Sequence, residues 1–121
     1  MSRHILFVDD EVPIRETLSL YFKKKGFAVT TAESGAEIIR LAEMTPFDLV
    51  ILDINLGGEN GLELLGLFKE KYPQVPVVMF TSFASDPALL KEAMARGADA
   101  YMSKTESLEN LTKEVQRLVP G

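Results

Sequence analysis

Hydrophobic and polar positions follow two rhythms along this chain, short unbroken apolar runs and longer stretches with helical spacing. The runs are Ile5-Leu6-Phe7-Val8, residues 27–31, Leu49-Val50-Ile51-Leu52, Val77-Val78-Met79-Phe80 and Ala100-Tyr101-Met102. Runs of that length between helical patterns predict strands buried on both faces, as in a parallel sheet. After the first run, Ile14, Leu18, Tyr21 and Phe22 share one helical face, and Lys23-Lys24-Lys25 before Gly26 form a helix stop. Ser34 with Glu37 three residues on is a capping box for a second helix, which turns Ile38, Leu41 and Ala42 inward and ends at Pro46. Asn60 with Glu63 repeats that pattern for a third helix, with Leu64, Leu65 and Phe68 toward the sheet and Tyr72-Pro73 closing it. Asp86-Pro87 opens a fourth, with Leu90, Ala93 and Met94 inward and Gly97 as the stop. Leu108, Leu111, Val115 and Leu118 mark a fifth, ending at Pro120-Gly121. No repeat or linker interrupts the alternation, so residues 1–121 read as a single domain. Five βα units with short connections predict a three-layer α/β sandwich, a five-stranded parallel sheet flanked by helices. Periodicity alone does not give the order of the strands.

Composition narrows the function. With 46% hydrophobic and 26% charged residues, the chain has an ordinary globular balance. A net charge of −5 gives it no electrostatic footprint for nucleic acid or an anionic membrane, so direct DNA contact is not expected. The absence of cysteine excludes disulfides and thiolate metal sites and fits a cytoplasmic location. The first apolar stretch stops at the acid block Asp9-Asp10-Glu11, unlike a signal peptide, and no run approaches the about 20 apolar residues that span a bilayer.

Four of the runs stop on, or one residue before, a group suited to phosphate chemistry: Asp9-Asp10, Asp53, Thr81 and Ser103-Lys104. Ligands of parallel sheets bind in the crevice outside the carboxyl ends of the strands. The pattern therefore predicts three carboxylates, a hydroxyl and an ammonium at one sheet edge. Clustered carboxylates repel unless a cation neutralises them, and magnesium suits oxygen ligands. Taken singly, each residue has a plainer reading. Asp9 and Asp10 could serve the dipole of the first helix, Asp53 could cap a turn, and Thr81 and Lys104 could be a strand residue and a surface cation. His4, Lys23-Lys24-Lys25 and the methionines Met79, Met94 and Met102 are read as structural, the methionines as core filler.

These residues, with Gly61 in the loop beyond Asp53 and Gly97-Ala98-Asp99-Ala100-Tyr101 before Lys104, resemble the receiver domains of bacterial two-component response regulators over essentially the whole chain. The resemblance implies the CheY-like version of the flavodoxin-like fold. It implies that Asp53 takes a phosphoryl group from a partner's phosphohistidine, and that Asp10, Asp53 and the Asn55 carbonyl ligate magnesium while Asp9 holds it through water. Lys104 would pair with one phosphoryl oxygen and Thr81 with another. Tyr101 would swing in from solvent, changing the surface of the fourth helix, fifth strand and fifth helix. Phe83, two beyond the threonine, would shield the acyl phosphate from water. The implied partners are a histidine kinase or histidine phosphotransfer protein, a downstream effector domain or target protein, and a second copy in a homodimer formed on phosphorylation. Such a domain catalyses only its own phosphorylation and dephosphorylation.

Two departures stand out. Receivers usually carry proline where this chain has Gly57, which should free the loop Ile54-Asn55-Leu56-Gly57-Gly58. They often carry a cis proline after the lysine, where Thr105 stands, and a cis bond there would cost about 2.5–4 kcal/mol, so a trans peptide is expected. These departures keep open a degenerate receiver that only docks. A haloacid-dehalogenase-like phosphatase would want an aspartate at Asn55, and a flavin binder a hydroxyl-rich loop at Asp9-Asp10-Glu11. Ala100 stands where regulators joined to winged-helix DNA-binding domains usually have an acid, a mild pointer away from that class.

Overall fold

Along the first strand, β1 (His4–Val8), Leu6 and Val8 enter one apolar cluster while Ile5 and Phe7 enter another. Successive strand residues point to opposite faces, so the two clusters are the two sides of one sheet. The computed structural model describes residues 3–119, so the helix end expected at Pro120-Gly121 lies outside the described residues. After β1 come α1 (Val12–Lys24), β2 (Ala28–Ala32), α2 (Gly35–Met44) and β3 (Leu49–Leu52). Two short strands follow, β4 (Asn55–Leu56) and β5 (Glu59–Asn60), then α3 (Gly61–Lys71), β6 (Val77–Thr81), α4 (Pro87–Ala95), β7 (Ala100–Ser103) and α5 (Leu108–Leu118). The main sheet runs β2-β1-β3-β6-β7 with every neighbouring pair parallel.

Helices α1 and α5 cover one face with Leu18, Phe22, Leu111 and Val115. The other face is covered by α2, α3 and α4, through Ile38, Leu62, Leu65, Phe68 and Ala93. The stripes expected on α1, α2, α3 and α5 all pack against the sheet. On α4 the expectation fails for two residues. Ala93 is fully buried and Leu89 packs beside it, while Leu90 and Met94 remain exposed. Leu89–Ala93 and Leu90–Met94 are both pairs four apart, and the short helix presents only the first pair to the core. Met94 is therefore not core filler, although Met79 is.

The capping patterns divide in the same way. Asn60 Oδ1 accepts from the Leu62 N–H, and Asp86 Oδ1 from those of Ala88 and Leu89. Ser34 makes no such bond, so the box expected at α2 does not form; Glu37 Oε1 accepts instead from Glu33 N–H and Ser34 Oγ. His4 is structural as expected, its Nε2 2.7 Å from Thr30 Oγ1 and its ring edge-on to Phe47.

The loop after β3 is more ordered than its glycines suggest. β4 and β5 pair antiparallel, Asn55 opposite Asn60 and Leu56 opposite Glu59, closed by Gly57 and Gly58 at φ 58° and 101°. Two positive φ values at the centre of a two-residue turn match the twist of a hairpin. Proline, fixed near φ −65°, cannot occupy Gly57 in this conformation.

Candidate functional site

In the order β2-β1-β3-β6-β7, the chain leaves β1 toward one edge of the sheet and β3 toward the other. The crevice at that switch point lies outside the carboxyl ends of β1 and β3. Asp9 follows β1 and Asp53 follows β3, and both stay in register with their neighbours. The Asp9 N–H donates to Ala32 O and the Asp53 N–H to Val8 O, each at 3.1 Å. Both carboxylates are buried, Asp9 at 0% and Asp53 at 4% exposure, whereas Asp10 is exposed. Asp9 is also a local organiser. Its Oδ1 accepts from the Glu11 N–H at 2.9 Å, and its carbonyl from Arg15 Nη1 at 2.6 Å.

Lys104 reaches this crevice from the end of β7, its N–H donating to Thr81 O at 2.9 Å. Its Nζ lies 2.8 Å from Asp53 Oδ2, 2.9 Å from Asp9 Oδ2 and 2.8 Å from Glu11 Oε1. Burial pulls the Lys104 ammonium down, but its bonds to Asp53, Glu11 and Asp9 outweigh that and hold it above the ordinary lysine range. Burial pushes the Asp53 carboxyl above its ordinary range, opposed by the Lys104 hydrogen bond, while the Asp9 charge adds to the rise. The sequence expectation thus omitted one participant, Glu11, which belongs to the same acid block and was legible there.

Carboxylate oxygens of Asp9, Asp10, Glu11 and Asp53 all lie within 4.8 Å of one another. One ammonium against four carboxylates leaves an excess of negative charge. Asp9 Oδ2 is buried and meets the Lys104 ammonium at 2.9 Å. An oxygen-only cluster with this excess of negative charge fits a hard divalent cation such as magnesium. Gly57 also closes on the cluster, the place of a Cβ there lying 3.5 Å from Asp10 Oδ2. Gly61 is required by the same loop. Its N–H donates to Ile54 O at 2.6 Å, and a Cβ would collide with the Asp53 carbonyl.

Thr81, Phe83 and Tyr101 form a second group. Thr81 is fully buried, and its Oγ1 accepts from the Phe83 N–H at 3.0 Å. Tyr101 lies opposite Met79 in the register, and its hydroxyl donates to Phe83 O at 3.1 Å. Its ring is half-buried beside the α2–α4 core, and its hydroxyl bond lies near solvent. Phe83 is 46% exposed, and the Lys104–Thr105 peptide is trans, with no cis bond among the described residues. Ser103 braces that loop, its Oγ 2.7 Å from Thr105 Oγ1.

Residues 5–116 match the response regulator receiver domain family. The TorCAD operon transcriptional regulatory protein TorR of Escherichia coli O157:H7 is 34% identical over 119 residues, which cover 98% of this chain. The chain spans 51% of TorR's length. The structure of Vibrio cholerae chemotaxis protein CheY4 superposes with a TM-score of 0.92 at 30% identity, covering 98% of this chain and 100% of that one. Response regulator protein TrrA of Thermotoga maritima, in complex with magnesium and BeF, gives 0.87 at 32% identity, covering 97% and 99%. No helix among the described residues is long and apolar enough to cross a membrane. With the acids of β1 and β3, the hydroxyl of β6 and the lysine of β7 at one edge of a CheY-like sheet, the chain belongs to the response regulator receiver domains of two-component systems.

Proposed function

We propose that Asp53 is the phosphoacceptor of this receiver domain, taking the phosphoryl group of a partner's phosphohistidine. The convergence of Lys104 Nζ on Asp53, Asp9 and Glu11 carries the reading. An Asp53 oxygen forms the new P–O bond as the P–N bond breaks, and the imidazole leaves with the electron pair and takes up a proton. Phosphoryl transfer needs in-line positioning and charge stabilisation more than covalent help. Lys104, already 2.8 Å from the acceptor carboxylate, follows the charge onto a phosphoryl oxygen. Thr81, accepting from the Phe83 N–H, keeps its own hydroxyl proton to donate to another. Asp10, Asp53 and the Asn55 carbonyl would hold magnesium, with Asp9 acting through water. Bound there, the ion supplies neutralisation of the phosphoryl and carboxylate charge.

Engagement of Thr81 by the phosphoryl group changes its bond to Phe83, and through the Phe83 carbonyl the seat of Tyr101. The surface of α4, β7 and α5, where Leu90 and Met94 stand exposed, then differs between the two states. A histidine kinase or phosphotransfer protein is the donor, and an effector domain or target protein, or a second copy, reads the changed surface. The departures at Gly57 and Thr105 leave all of these groups in place, which favours an active receiver over a docking module.

Incubation with acetyl phosphate and magnesium should add one phosphate by intact-mass measurement, and Asp53→Asn should abolish it. Undiminished labelling of that variant, or label mapped to Asp9 or Asp10, rejects the assignment.

A further inference from the structure

The acid at the far end of the β4–β5 hairpin has no place in the chemistry above. Glu59 Oε1 accepts at 2.9 Å from the N–H of Gly35, the first residue of α2 and 24 positions earlier. It thereby pairs the first free N–H of α2, a helix whose N-cap residue Ser34 makes no side-chain bond of its own. A carboxylate at a helix N-terminus is favoured by both the free N–H groups and the helix dipole. Glycine at residue 35 leaves room for this contact, since a Cβ there would press on the ends of two side chains, 2.9 Å from Glu59 Oε2 and 2.5 Å from Leu64 Cδ2.

Three further contacts show what the bond holds. Glu59 lies opposite Leu56 in the hairpin, and Leu56 is buried. Asn55 lies opposite Asn60, whose side chain caps α3. The turn between them rests beside Asp10. The hairpin that carries Asn55 is therefore tied by hydrogen bonds to the N-termini of two helices, to α3 through Asn60 and to α2 through Glu59. A turn of two glycines has much backbone freedom to lose, so its geometry depends on such ties.

We propose that Glu59 is a positioning residue for the cation site, its hydrogen bond to Gly35 holding the hairpin so that the Asn55 carbonyl and Asp10 face one ion. This rests on the reading of Asp10, Asp53 and Asn55 as magnesium ligands. Supporting groups behind a metal site tune affinity without touching the ion, and their loss costs on the order of tenfold in binding.

The test is magnesium titration of the full chain, followed by calorimetry, for wild type, Glu59→Ala, Glu59→Asp and Glu59→Gln. Glutamine keeps an acceptor oxygen at full reach and should bind magnesium like wild type. Alanine has no acceptor, and aspartate keeps the charge but falls a methylene short. Both should weaken binding on the order of tenfold. In wild type the Gly35 amide resonance should shift on magnesium addition, and in Glu59→Ala it should not. A lower melting temperature in Glu59→Ala with an unchanged magnesium affinity would make Glu59 a plain helix cap and overturn the proposal. Equal weakening in Glu59→Gln and Glu59→Ala would trace the effect to charge and overturn it as well. If Glu59→Ala does not fold, Glu59→Asp against Glu59→Gln decides the same question. Wild type that binds no magnesium at all would instead reject the ligand reading on which the proposal stands.

Discussion

The loops after β3 and after β6 both leave the carboxyl edge of the sheet, yet they are held by opposite means. The first carries charge and is tied down repeatedly. Gly61 bonds to Ile54, Asn60 caps α3, Glu59 caps α2, and Lys104 closes on Asp53. The second carries one acid, Asp86, which caps α4, and its contact with Tyr101 hangs on the backbone of Phe83. Phe83 gives its N–H to Thr81 and its carbonyl to Tyr101, with its own ring half in solvent. Chemistry needs fixed atoms, and signalling needs an element whose two arrangements differ little in free energy. The division of labour follows from that difference.

The strongest way to break the comparison is to remove the cation from the fixed side. Lys104 is 8% exposed and touches three carboxylates, so Lys104→Ala strands Asp9 and Asp53 without a counter-charge. Breaking a buried pair in this way costs about 3 kcal/mol. Urea unfolding in the absence of divalent ions should show that loss, and saturating magnesium should recover much of it. A change below about 0.5 kcal/mol, the level of ordinary surface substitutions, would place Lys104 among solvated surface cations.

The ion itself comes next. A ligand that binds only the folded state adds about 2.7 kcal/mol at a hundredfold excess over its dissociation constant. Magnesium should therefore raise the melting temperature of wild type, and Asp10→Ala should remove most of the rise. A response that survives Asp10→Ala means the ion sits elsewhere than this cluster.

The fixed side was also the more legible one. Four-residue apolar runs ending on Asp9, Asp53 and Thr81 declare strand ends, because only a buried strand needs such a run and only its exit can hold a charge. The strand order and the β4–β5 ribbon were not readable from the same pattern, since two-residue strands have no period. The Gly57-Gly58 pair is the hairpin signal the sequence offers, but two glycines equally signal a free loop. The role of Glu59 has no signature in the sequence, because its partner lies 24 residues away and Ser34 stands nearer as a cap candidate. On the switching side, Leu90 and Met94 carry the same spacing as Leu89 and Ala93, so the sequence offers two candidate inner faces for α4. Tertiary packing chose between them.

The loosely held side should show itself first in the lifetime of the acyl phosphate. Phe83 and Asn55 both border a cavity of about 340 Å³ between the hairpin and α4. If the ring shields a phosphorylated Asp53 from water, Phe83→Ala and Phe83→Glu should each speed dephosphorylation severalfold, about 1 kcal/mol in the barrier. Decay followed by loss of the phosphorylated mass after removal of the donor is the measurement. Equal lifetimes in both variants and wild type would show that the ring is not the shield.

The smallest expected effect is the most informative about the switch. Tyr101→Phe deletes one hydroxyl, and with it the bond to Phe83 O, while keeping the ring against the core. The bond lies near solvent, so the stability change should be small, about 0.5 kcal/mol. The change in switching should be larger than that number suggests. Thr81 and Tyr101 communicate only if the Phe83 backbone passes a shift from one to the other, and the variant cuts that link at one end. With beryllofluoride and magnesium as the phosphoryl mimic, the wild-type Tyr101 ring should change its solvent accessibility by NMR, together with the amides of α4 and β7. In Tyr101→Phe the shifts around Asp53 and Thr81 should persist while those of α4 shrink. Full occupancy of Asp53 with no change at Tyr101 in wild type would show that the ring is a fixed strand aromatic. Undiminished α4 shifts in Tyr101→Phe would show that the Phe83 bridge carries nothing and that any change in that surface is relayed by packing alone.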